Sequence, residues 1–191
     1  MAEIIKPGRG ILYMKVGTHA RESLEDIIER KAKEIERTGY PMWGYGGSTC
    51  HPRNAVQPFA RDFQGRGQPI YLCMEEMNSQ HFAEQVRADE WSADGLSWAA
   101  IPPDIAVLGS RYALVIKNLR KEEFELSLQD TRVTIGNCLG RPGSKYIKGR
   151  VDKACLEVTA GPDSESEVRS VKINLVAELV DPFAVFLRNR S

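Results

Sequence analysis

"ILYMKVGTHARESLEDIIERKAKEIERTG", residues 11–39, decides the fold class. Its first seven residues, "ILYMKVG", are largely apolar and are bounded by Gly10 and Gly17. A short apolar run with such flanks reads as a well-buried strand. Over 22–39 the period changes. Leu24, Ile27, Ile28, Ala32 and Ile35 recur at helical spacing, which predicts a helix with one apolar face. Ser23 followed by Asp26 makes a capping-box start, in which side chains and backbone satisfy each other's donors. Asp26 with Arg30, and Glu29 with Lys33, are favourable pairs four residues apart. Gly39 suits the position just past a helix end, where the backbone turns left-handed. The charges on this helix therefore read as its solvated face.

Outward from this unit, "PIYLCMEEM" (69–77) reads as a second buried strand, apolar at Ile70, Leu72 and Met74. Between the two, "NAVQPFARDF" (54–63) allows at most a short helix, because Pro58 lacks an N–H. Residues 78–104 read as a long loop with one short helix. From about residue 105 the chain turns to strand patterns: "RYALVIKNL" (111–119), "EFELSLQDTRVTIG" (123–136), "VDKACLEVTAG" (151–161) and "EVRSVKINLVAELV" (167–180). "LVDPFAVFL" (179–187) reads as an edge strand or docking tail, since Pro182 cannot donate to a central ladder. The fold class is α+β, a mostly antiparallel, curled sheet or barrel with one main N-terminal helix. A single domain is expected over 1–191: a helix-containing half (10–120) that carries the binding loops, and a β-rich extension (121–191).

Lys and Arg number 26, as do Asp and Glu, so the formal charge is zero. Binding to nucleic acid would therefore need a local cationic patch. The four cysteines, Cys50, Cys73, Cys138 and Cys155, are far apart and show no paired spacing. "MAEIIKPGRG" lacks a basic start leading into an apolar stretch, and no run approaches the roughly 20 apolar residues of a membrane helix. A cytoplasmic protein with reduced thiols and no membrane association is the expectation.

"MWGYGGSTCHP" (42–52) is the first candidate site. Gly44, Gly46 and Gly47 allow close backbone approach to a ligand. Trp43 and Tyr45 offer flat faces on which a base or a cation stacks. The glycines do not spell a phosphate loop. Cys50 with His51, His19 or His81 is the alternative, a catalytic thiol and base, although a directly adjacent histidine usually points elsewhere. The spacing of these residues is not that of a metal site, so no metal or cofactor is expected. "GRPGSKYIKGRVDK" (140–153) is the basic patch, with Arg141, Lys145, Lys148, Arg150 and Lys153 around Tyr146. Its cations and glycines on an open hairpin loop suit a phosphate contact.

The order of "ILYMKVG", helix, "MWGYGG" and "PIYLCMEEM", with the later "IPPDIAVLGSRYALVIKNL", resembles PUA-like domains of the EVE and YTH branches over residues 10–120. The resemblance implies a curled β-barrel that binds nucleic acid and grips one modified base in an aromatic pocket. By that match Trp43 is the pocket residue, with Trp91 or Trp98 completing the cage. The neutral overall charge and the added strands after residue 120 depart from a compact PUA-like barrel.

The leading expectation is a non-catalytic binding module for a nucleotide or a modified base in nucleic acid. A cysteine-dependent hydrolase or transferase is the second. An oligomer assembled through the C-terminal strands and "DPFAVFL" is the third.

Overall fold

The structure is a computed structural model that describes residues 1–18, 22–39, 41–45, 53–78, 87–107, 110–149, 151–162 and 167–189. Its centre is a parallel pair, β1 (Gly10–Thr18) and β3 (Ile70–Asn78), in register from Gly10–Ile70 to Thr18–Asn78. Both strands are apolar on both faces because both faces are covered. Leu12, Met14, Leu72 and Met74 enter one core, while Ile11, Tyr13, Tyr71 and Cys73 enter a second.

Two helices and a short strand lie between these strands in the chain. They are α1 (Leu24–Thr38), β2 (Met42–Tyr45) and α2 (Arg53–Gly65). The capping box at Ser23 and Asp26 is formed, Gly39 closes α1 in the left-handed region, and Lys33 bonds Glu29 at 2.7 Å. Arg30, however, pairs with Glu22 and Glu34, leaving Asp26 to the cap. The inward stripe of α1 also differs from the expected one. It runs Leu24, Ile27, Lys31, Glu34, while Ala32 is exposed and Ile35 only half-buried. α2 runs through Pro58 for 13 residues, longer than expected. Proline removes one helical hydrogen bond, and the burial of Val56, Phe59, Ala60 and Phe63 offsets that loss.

The remaining strands are β4 (Glu90–Ser92), β5 (Ala99–Ala100), β6 (Tyr112–Ser127), β7 (Thr131–Val133), β8 (Lys153–Val158) and β9 (Ser170–Arg188); α3 (Gly143–Tyr146) is a single turn. The sheet order is β2-β6-β9-β3-β1-β8-β7, with β4 also on β9 and β5 on β4; every pair but β1–β3 is antiparallel. The mixed, strand-rich character was expected. Among the described residues, the sheet does not close into a barrel. The long loop expected over 78–104 instead contains β4 and β5, with no helix among its described residues.

β9 overturns the expected edge strand. It is one 19-residue strand in the middle of the sheet, paired with β6, β3 and β4. Pro182 fits there because it lies in a bulge. Between the pairs Leu114–Ala184 and Ile116–Leu179, β6 passes through Val115 alone and β9 through residues 180–183. A bulged residue has no ladder partner, so a missing N–H costs little. Phe183, Ala184, Val185 and Leu187 are buried within the fold, so this segment does not form the expected docking tail.

Further register shifts between Lys117 and Phe124 carry the distal halves of β6 and β9 toward the second core, where Phe124, Leu126, Val171 and Ile173 meet Ile11 and Tyr13. A third core joins Met42, Ala113, Val115 and Val185 to Ala88, Ile101, Ile105 and Val107.

Candidate functional site

β2 alternates between two cores. Met42 faces the third core, and Trp43 and Tyr45 face the first. Trp43 is 6% exposed and Tyr45 is 0% exposed. Tyr45 therefore offers no stacking face to a ligand, contrary to the sequence expectation. Its ring is enclosed in the core beneath the Lys153 ammonium, 5.6 Å from the ring centre.

Trp43 and Gly44 do line a cavity of about 230 Å³. Its other walls are the C-terminal half of β1 (Met14 to Gly17), the face of α1 carrying Ile27, Arg30 and Lys31, and the segment around Ala106, Val107 and Ser110. The volume lies below the roughly 300 Å³ where drug-sized pockets begin, so it suits one planar ring better than a dinucleotide. The polar wall is ordered. Arg30 holds Glu22 through Nε at 2.7 Å and Nη2 at 3.0 Å, a two-point contact that raises the guanidinium pKa. Lys31 is 4% exposed and Glu34 is 2% exposed. Lys31 Nζ donates to Glu34 Oε2 at 2.8 Å, to the Met42 carbonyl at 2.6 Å and to the Ala106 carbonyl at 3.1 Å. Burial pushes this ammonium below the ordinary lysine range, and Glu34 opposes the shift.

The other expected site residues are dispersed. Trp91, on β4, packs against the third core, on the opposite face of β2 from Trp43. Trp98 lies under the Arg188 guanidinium, 3.9 Å from its ring centre. Neither completes a cage around Trp43. Gly46, Gly47, Cys50, His51, His81, His19 and Arg150 lie outside the described residues.

The basic segment is not an open hairpin tip. Residues 143–146 form α3 against β7 and the 3-10 turn Leu128–Asp130. Gly143 is there for close packing, since an added Cβ would lie 2.1 Å from Thr131 Oγ1. Arg141 is exposed, Lys145 is half-buried, and Lys148 binds both carboxylate oxygens of Glu167 at 2.8 and 2.7 Å. Among the described cations of the segment, Lys153 reaches the aromatic strand, and it is buried there beside Asp152.

A larger groove of about 460 Å³ lies between α2 and β7, floored by Phe59, Phe63 and Val133. It contains none of the residues that carry recognition chemistry in the sequence. The charges on its rim pair with one another, Arg66 with Asp62 and Glu157, and Arg132 with Glu157. The Trp43 cavity is therefore the better candidate, although it is smaller.

Sequence reading missed Lys31 and Glu34. The signal was present as a seven-residue offset, because 24 and 27 on the inward stripe continue to 31 and 34. Among the described residues, no three His, Cys, Asp or Glu side chains converge on a metal-sized site, and no helix is long and apolar enough to cross a membrane. No protein family, curated protein or solved structure matches the chain.

Proposed function

We propose that this protein is a non-catalytic binding module whose ligand is a single planar ring, a free nucleotide's base or a modified base turned out of a nucleic acid strand. The observation that supports this reading is the cavity wall formed by Trp43 and the Gly44 backbone beside the half-buried Lys15. An aromatic wall and an approachable backbone are what a base needs, one for its face and the other for its polar edge. The resemblance to PUA-like domains points to the same strand and the same tryptophan. In this reading the phosphates stay outside the cavity, near Lys15.

The test uses the chain with Trp91→Phe and Trp98→Phe, which leaves Trp43 as the only one of three tryptophans. Nucleotides and short oligonucleotides are titrated while Trp43 emission is followed. Saturable quenching is expected, and Trp43→Ala should weaken binding, measured by calorimetry, about tenfold, since one stacked base contributes about 1–3 kcal/mol. Unchanged affinity in a folded Trp43→Ala protein would sink the reading.

A further inference from the structure

We infer that Lys31 and Glu34 are positioning residues that set the distance between the walls of the Trp43 cavity. The inference rests on the reading of that cavity as the binding site. The pair lies one helical turn apart on α1, where the stripe begun by Leu24 and Ile27 would ordinarily continue with apolar side chains. Two charges stand there instead, both almost completely buried.

Their bonds reach two of the other walls, β2 and the segment at residue 106. Lys31 Nζ holds the carbonyl of Met42, the residue before Trp43 on β2. It also holds the carbonyl of Ala106, on the facing segment. Glu34 closes the loop from the same side. Its Oε1 accepts the Ala106 N–H at 3.1 Å, and its Oε2 accepts from Lys31. Arg30 approaches that same Oε1 at 3.5 Å while holding Glu22. One ion pair thus ties α1 to β2 and to residue 106.

The geometry also assigns the pair its role. An ammonium has three N–H bonds, and all three have acceptors here. Lys31 is therefore held as a cation and is not a free amine that could attack a carbonyl. A buried ion pair of this kind is a weak source of net stability, because desolvation offsets its attraction. What it does supply is direction, since each bond fixes one backbone group at one place. The consequence falls on Trp43, the next residue after an anchored carbonyl.

The test needs no ligand. In the Trp91→Phe/Trp98→Phe background, acrylamide quenching of Trp43 reports access to the cavity. Lys31→Met should raise the quenching constant at least twofold while thermal unfolding stays cooperative. Glu34→Gln keeps an acceptor for the Ala106 N–H and serves if Lys31→Met does not fold. It should produce a smaller rise in the same direction. An unchanged quenching constant in a cooperatively folding variant overturns the inference. The binding titration separates the two claims. Quenching that responds to the pair in a protein that binds no nucleotide removes the binding reading and leaves the positioning role. Binding that depends on Trp43, with quenching indifferent to Lys31 and Glu34, does the reverse.

Discussion

The Lys153 ammonium stands 5.6 Å above the Tyr45 ring, and both residues are buried inside the fold. In the sequence the two read as separate ligand contacts, a cation for phosphate and a ring for a base. A cation within about 6 Å of a desolvated ring gains roughly 2 kcal/mol. Lys153→Met should therefore lower stability by about 1–2 kcal/mol in urea unfolding. It should leave oligonucleotide affinity and its salt dependence unchanged. A phosphate contact would instead reduce the salt slope by about 0.7, the share of one cation on a single strand.

The bulge in β9 depends on one side chain from α2. Gln57 Nε2 donates to the Pro182 carbonyl and, at 2.8 Å, to the Ala184 carbonyl. Both carbonyls sit where the β6 ladder is interrupted. Gln57→Leu keeps the bulk and removes the donors. Leaving a buried acceptor unsatisfied costs about 1–3 kcal/mol, so unfolding in denaturant should show a loss in that range. A loss under about 0.5 kcal/mol, the size of an ordinary surface change, would mean that water takes over the bonds.

That bulge also marks the limit of sequence reading. β1 and β3 were legible because their apolar runs need no knowledge of partners, and the α1 cap was legible because it is local. β9 was not. Pro182 excludes a regular central ladder, and the bulge that accommodates it is made by residues on β6 and α2, far away in the chain. Trp43 stands out in the sequence through its glycine and aromatic neighbours, and in the structure it lines a cavity. Lys31 and Glu34 were not legible, because charge on a helix normally means solvent, and their burial is made tolerable by each other together with the backbone groups of Met42 and Ala106. The basic segment misled in part for the same reason, because Glu167, which neutralises Lys148, lies 19 residues further along the chain, whereas Asp152 stands directly before Lys153 in the segment itself.

Asp94 gives a pH signature. Its carboxylate accepts the N–H groups of Ser97 and Leu96 and the Ser92 hydroxyl, and these bonds hold its pKa down to about 2 from an ordinary 3.8. The folded-state value is depressed, so the unfolded chain takes up the proton first as pH falls. The contribution of Asp94 to stability is then complete above about 3.8 and is lost as pH falls toward about 2. Asp94→Asn should lower thermal stability at neutral pH, where the carboxylate's contribution is complete, and flatten the acid limb in that window, so that the two proteins converge as pH falls toward about 2. An identical acid limb in the variant would show that the turn between β4 and β5 does not couple to global unfolding.

The thiols decide whether the catalytic alternative survives. Burial pushes the Cys73 and Cys155 thiols well above the ordinary range, where the reactive thiolate is absent at neutral pH. Neither can serve as a nucleophile. Cys138 is half-buried on a 3-10 turn. The cysteine mechanism read from the sequence rests on Cys50, with His19, His51 or His81 as its base. Iodoacetamide at neutral pH should label Cys73 and Cys155 only after denaturation, with peptide mass spectrometry locating each adduct. On the binding-module reading, Cys50 reacts in the native protein no faster than an ordinary thiol, within a few-fold of Cys138. Labelling of Cys50 at least tenfold faster than Cys138, abolished by substitution of one histidine, would transfer the function to that thiol.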